Sequence, residues 1–300
     1  MPNVNRPNSL NESAGPNGPA ASVITLGELD VHCLDWGGTG KPMLALHGLA
    51  SSGHWYRRLA PLLSDDYRII APDQRGHGAT TQAASGYDWQ TMAEDALRLL
   101  DHFGIERAAV LGHSWGGHVA SNLAMRFPER VSRLVMIDGG FQDGGLLPNP
   151  TWEAFRQRLA PRLVAGTRAE YLDRLEENLS FCWGDDLADI ALTMVYEGAD
   201  GQMRDKLRPE NHAQVLATMW TEPPSVVLPQ VKVPTLAVAA GPRADRVNSE
   251  FSRQREVMVA AAEAALLNGR VHWIPDTIHD IGYHKPGELA AVIREFLTED

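Results

Sequence analysis

Apolar and polar positions along this chain follow two rhythms. Strand-like runs occur at 23–26, 31–36, 43–46, 67–71, 108–111, 134–137, 235–239 and 270–274, and several are almost wholly apolar. Short runs without a polar face read as strands covered on both sides. Between them, 55–63, 89–103, 115–126, 251–267 and 287–297 carry apolar residues at helical spacing. Strand and helix in alternation predict an α/β domain around a mostly parallel sheet. The first strands follow one another closely, which predicts antiparallel pairing at that edge.

The rhythm breaks once, between 141 and 227. No strongly strand-like run occurs there. Helices are predicted in TWEAFRQRLAPRL, RAEYLDRLEENL, DDLADIALTMVYEG and NHAQVLATMW, with Gly and Pro punctuating the stretch. This segment reads as a helical cap inserted after the sixth strand. The expected organisation is a disordered tail over 1–22, core over 23–140, cap over 141–227 and core again over 228–300. The tail is rich in Asn, Pro, Gly and Ser and has no apolar centre, so it does not read as a signal peptide.

Composition narrows the function classes. The chain has 300 residues, 44% of them hydrophobic and 22% charged, and no run approaches the ~20 apolar residues of a membrane span. Lys and Arg total 27 against 38 Asp and Glu, a formal charge of −11. Nucleic-acid binding needs a concentrated basic face, and none is visible. Cys33 and Cys182 are isolated and read as small buried hydrophobes, so neither a disulfide framework nor a metal site is expected. A cytoplasmic protein without cofactor, working as a monomer or weak homodimer, is the expectation.

The densest candidate chemistry lies in VLGHSWGG, residues 110–117. A predicted buried strand runs into it and an apolar helix follows, so Ser114 falls at the corner. Gly112 and Gly116 stand two positions to either side, where side chains would collide across the bend, and Gly117 removes further bulk. This is the G-x-S-x-G pattern in its strand–turn–helix setting. The helix start offers unpaired N–H groups to developing negative charge. His113 flanks the serine and is expected to point away from it, since neighbours on a strand alternate.

From LALHGLASSG, APDQRGHG, GHSWGG, IDGG and the late IHD, in that order, the chain resembles the α/β-hydrolase fold superfamily over about residues 23–298. It is most similar to small lid-bearing esterases, lactonases, carbon–carbon bond hydrolases, haloalkane dehalogenases and cofactor-free haloperoxidases. The resemblance implies an eight-stranded α/β-hydrolase sheet, Ser114 as nucleophile and His279, after the last strand, as base, with His284 the next choice. It implies an oxyanion hole made by the amides of Leu49 and Trp115. For the acid, Asp138 after the sixth strand and Asp245 after the seventh both remain, with Asp138 favoured. Asp245 has G-x-x-x-D spacing and arginines on either side.

The other residues around these motifs carry humbler expectations. His47 shapes its loop, and Gly48 allows an unusual backbone angle that turns the Leu49 amide inward. Asp73 and Arg75 form a structural ion pair, Trp55 lines either pocket or core, and Asp280 fixes its loop. The implied activity is cleavage of a small, largely apolar carboxylic ester or lactone through an acyl-enzyme. Carbon–carbon bond cleavage, perhydrolysis or ligand reception on the same scaffold are the alternatives. Dehalogenase and epoxide hydrolase relatives use an aspartate where this chain has Ser114, so neither activity is expected.

Overall fold

The computed structural model describes residues 18–244, 246–247 and 249–299. An eight-stranded sheet has at one edge β1 (Ala20–Leu26) and β2 (Leu29–Asp35), a hairpin closed by Gly27 at φ 66°. Next come β3 (Lys41–Leu46), β4 (Tyr67–Pro72), β5 (Ala108–His113) and β6 (Val131–Ile137). After the cap, with its own β7 (Val195–Glu197) and β8 (Met203–Asp205), follow β9 (Thr235–Ala240) and β10 (Gly269–Ile274). The order across the main sheet is β1-β2-β4-β3-β5-β6-β9-β10. β2 pairs antiparallel with β1 and β4, and every other pair is parallel. Every residue of β5 and of β9 is buried, as strands with helices on both faces require.

The helices are α1 (Trp89–His102), α2 (Trp115–Arg126), α3 (Trp152–Arg158), α4 (Arg168–Leu179), α5 (Asp185–Thr193), α6 (Pro209–Thr221), α7 (Pro224–Val227), α8 (Glu250–Ala265), α9 (Ile281–His284) and α10 (Pro286–Thr298). One core joins Met92 and Leu99 of α1, Leu123 of α2 and Val259 of α8. The other joins Trp55, Tyr56 and Leu59 to Leu289, Ile293 and Phe296 of α10. Cap residues continue both: Phe155 and Met219 the first, Tyr171 and Ile190 the second. The cap therefore sits on the ends of the sheet as an extension of both cores. Among the described residues no helix is long and apolar enough to cross a membrane.

Several expectations need correction. β1 begins at Ala20, inside the stretch expected to be tail; residues 1–17 lie outside the described residues. The cap is not wholly helical. β7 and β8 pair antiparallel across a turn with Gly201 at φ 73°, so the helix expected through 185–198 stops at Thr193. Three-residue strands are too short to show a period, although VYE before GADG was the available signal. The helix expected over 151–163 ends at Arg158, ahead of Pro161, which disfavours helix in the residue before it. The segment 55–63 holds two 3₁₀ turns, Gly53–Arg57 and Ala60–Leu62, instead of one α-helix. Pro61 lacks the N–H that a continuous helix would use.

Candidate active site

Ser114 stands between β5 and α2 with φ 53° and ψ −121°. Only four described non-glycine residues have positive φ, and Ala50, Ser114 and Asp138 are three of them. Strained backbone of this kind, costing of order 1–3 kcal/mol per residue, persists where the surroundings over-determine it. The surroundings here are backbone packed on backbone. A Cβ at Gly112 would fall into the Gly116 carbonyl, one at Gly116 into the Leu46 carbonyl, and one at Gly139 into Ser114 itself. The glycines of VLGHSWGG and IDGG thus serve one purpose, to let the corner, β3 and the chain after β6 come together.

Asp138, wholly buried at the end of β6, accepts from His279 Nδ1 at 2.6 Å through Oδ2. Its Oδ1 accepts the Ala240 N–H at 2.8 Å and is ion-paired with the Arg255 guanidinium. A carboxylate only accepts, so it selects the tautomer with the proton on Nδ1 and leaves Nε2 with a free lone pair. The His279 side chain is 43% exposed, it lines two cavities, and the protein packed around the ring desolvates it. That enclosure, with Arg255 adding to it and Asp280 opposing, holds its pKa below the usual imidazole value. An imidazole with a lowered pKa is neutral at neutral pH and able to accept a proton there. The other acid candidate, Asp245, lies outside the described residues.

The loop after β3 carries the expected donor. His47 Nδ1 donates to the Gly48 carbonyl at 2.8 Å, its Nε2 accepts from Gln74 N at 2.9 Å, and Gln74 Nε2 returns to the His47 carbonyl at 2.7 Å. Gly48 itself has no left-handed φ; the positive φ is that of Ala50, at 54°. Gly48 is needed for space instead, because a Cβ would press on Ser114 Cβ at 3.0 Å and His113 Nδ1 at 3.1 Å. Trp115 opens α2, and its N–H has no intrahelical acceptor. Leu49, Ser114 and His279 line the same two cavities, one of which Trp115 also borders.

Three neighbours, His113, Asp73 and Arg75, differ from expectation, while Trp55 and Asp280 follow it. His113 does not turn away from the site. Its Nε2 donates to the His279 carbonyl at 3.2 Å, and its ring stacks on Trp55 with centroids 3.9 Å apart. Trp55 lies in the core, and its Nε1 donates to Asp280 at 2.8 Å, bracing the loop that bears His279. Asp73 and Arg75 do not pair with each other. Asp73 accepts from His32, Gly53 N and Ala79 N, while Arg75 grips Asp95 at 2.8 and 3.0 Å. His284 is turned aside to Thr277, and His272 is exposed on the edge strand β10. Among the described residues no group of three or more His, Cys, Asp or Glu could hold a metal ion.

Two residues that line a cavity with Ser114 and His279 escaped the sequence reading, Arg158 and Arg255. Arg255 precedes buried Met258, Val259 and Ala262 at steps of three, four and seven, so helical spacing did mark it as facing inward. The cap is tied down by Arg58, which grips Asp186 of α5 at 2.5 and 2.6 Å and donates to the carbonyls of Cys182 and Tyr283. Arg58→Ala should cost about 1–2 kcal/mol and speed proteolytic cleavage within 141–227 severalfold. Urea unfolding and timed proteolysis check this.

A family model for the alpha/beta hydrolase fold matches residues 41–253. The chain belongs to that family. A soluble epoxide hydrolase from Corynebacterium sp. (strain C12) is 37% identical over 116 residues, 38% of this chain and 41% of that protein. Epoxide hydrolase A from Mycobacterium tuberculosis is 25% identical over 93% of this chain and 98% of that one. With the first of these, the matched stretch spans about two-fifths of the relative's length. The crystal structure of E-2-(acetamidomethylene)succinate hydrolase superposes with a TM-score of 0.77 at 21% identity, covering 94% of this chain and all of that one. This alpha/beta hydrolase therefore shares its fold, over most of its length, with proteins of differing named chemistry.

Proposed function

We propose that the protein is a serine hydrolase that cleaves a small carboxylic ester or lactone through an acyl-enzyme. One observation carries the reading: Ser114, at a positive-φ corner, opens onto cavities also lined by His279, whose far nitrogen is bonded to buried Asp138. Ser114 is nearly inert at its own pKa, and Nε2 of His279 would take its proton as Oγ attacks the carbonyl. The N–H groups of Leu49 and Trp115 would receive the oxyanion, a contribution of about 3–4 kcal/mol per donor. His279 then protonates the departing alkoxide, and water splits the acyl-enzyme by the reverse path.

The nucleophile's chemistry argues against the activity named for the epoxide hydrolase relatives. A serine oxygen that opened an epoxide would form an ether, which offers water no carbonyl to attack. Serine needs a substrate whose intermediate remains an ester. Short p-nitrophenyl esters and small lactones should be hydrolysed by the wild-type protein and not measurably by Ser114→Ala. Equal turnover by the two proteins would overturn the proposal.

A further inference from the structure

Two cavities meet at Leu49, Ser114 and His279. The first, about 210 Å³, is walled mainly by apolar cap side chains such as Leu175, Trp183, Leu187, Ile190 and Met194; its Arg162 is paired with Asp205 at 3.0 Å. The second, about 320 Å³, runs from Trp115 beneath Phe141, Met219, Phe251 and Met258. Its wall contains two arginines, Arg158 and Arg255, and no Asp or Glu.

These guanidiniums are poorly matched by the protein. Arg255 is 13% exposed, and burial pushes its pKa down to about 10. One Nη meets Asp138 Oδ1, while Nε is enclosed without a hydrogen-bond partner. Arg158 lies 5.0 Å over the Phe251 ring and donates to Gln254 Oε1 at 2.6 Å. No carboxylate stands within ion-pair distance of it among the described residues, and Glu250 acts on it only from further off, through Gln254. Asp138 must also serve His279, so Arg255 shares its one paired carboxylate with the imidazole. An enclosed cation such as Arg255 without a matching anion of its own is costly, Arg158 stands exposed on the same wall, and guanidinium with carboxylate forms strong charge-assisted pairs.

We propose that the substrate carries a carboxylate on one arm, bound by Arg158 and Arg255 in the second cavity, while its other arm is apolar and fills the first. This rests on the serine-hydrolase reading and names the substrate class: half-esters of dicarboxylic acids, or lactones bearing an acid side chain. The chain's charge of −11 repels anions at long range, so the selectivity has to come from these two guanidiniums.

Binding tests the site without turnover. In Ser114→Ala protein, calorimetry with monomethyl glutarate and monomethyl adipate should give dissociation constants at least tenfold below those of the uncharged dimethyl esters. The gap should close when Arg158→Gln is added and survive in part with Arg158→Lys. Equal binding, or a gap indifferent to residue 158, overturns the proposal. In parallel, wild-type protein should hydrolyse p-nitrophenyl hemiglutarate with a kcat/KM at least tenfold above that for p-nitrophenyl valerate. Ser114-dependent turnover without that preference overturns the carboxylate site alone. Binding that follows Arg158 without any Ser114-dependent turnover keeps the site and removes the esterase reading.

Discussion

Asp138→Asn should fold and bind yet lose about 10³–10⁴-fold in kcat, the scale seen when a triad carboxylate becomes an amide. The amide can still accept the Ala240 N–H through its oxygen, so the end of β6 keeps its anchor. It can no longer choose the Nδ1-protonated tautomer of His279 or balance an imidazolium. A second consequence is particular to this protein. Arg255, almost enclosed beside Asp138, loses its counter-charge, and breaking a buried pair costs about 3–5 kcal/mol. Asp138→Asn should therefore be measurably less stable in urea, and adding Arg255→Met should restore much of that loss. Turnover should not return with it. Wild-type catalytic efficiency in Asp138→Asn would remove Asp138 from the mechanism.

Unfolding free energy should fall by about 4 kcal/mol or more between pH 7 and pH 5. Burial lowers the pKa of His77 to about 3 and of His118 to about 4, and also depresses His47 and His113. In the unfolded chain these rings titrate near 6.5. Below that pH the unfolded state binds protons that the native state excludes, so stability rises with pH across the window. Each such histidine contributes a slope of about 1.4 kcal/mol per pH unit between its two pKa values. His77 and His118 alone account for about 2 kcal/mol each over the span from 6.5 to 5. Asp73, held ionised chiefly by His32 against its burial, adds a loss of the same sign at more acid pH. Urea midpoints at the two pH values check the effect, and identical free energies would contradict the burial of neutral imidazoles.

The strand order's raw material was plain in the sequence because the central strands are buried on both faces and read as apolar runs. The corner at Ser114 was equally plain, since glycines there answer to backbone contact and leave a spacing that can be counted. His279 was placed by the family resemblance, which implies a histidine after the last strand. Choosing the acid was harder: Asp138 and Asp245 both follow core strands, and only the fold brings the first within 2.6 Å of the imidazole. What stayed hidden depends on contacts between segments distant in sequence. His113 reaches the His279 carbonyl across 166 positions, and Arg255 reaches Asp138 from another helix. The inward stripe of α8 carried the second of these in its spacing. The β7–β8 hairpin left only a turn signature, because three residues cannot declare a period.

On the proposed mechanism Ser114 forms a covalent acyl bond with help from His279. Intact-mass and peptide mapping after reaction with a fluorophosphonate tests it most directly. One adduct per chain is expected, on the peptide containing Ser114, with none in Ser114→Ala and a rate at least 10²-fold lower in His279→Ala. A wild-type protein that stays unmodified, or carries its adduct on another residue, would contradict the claim.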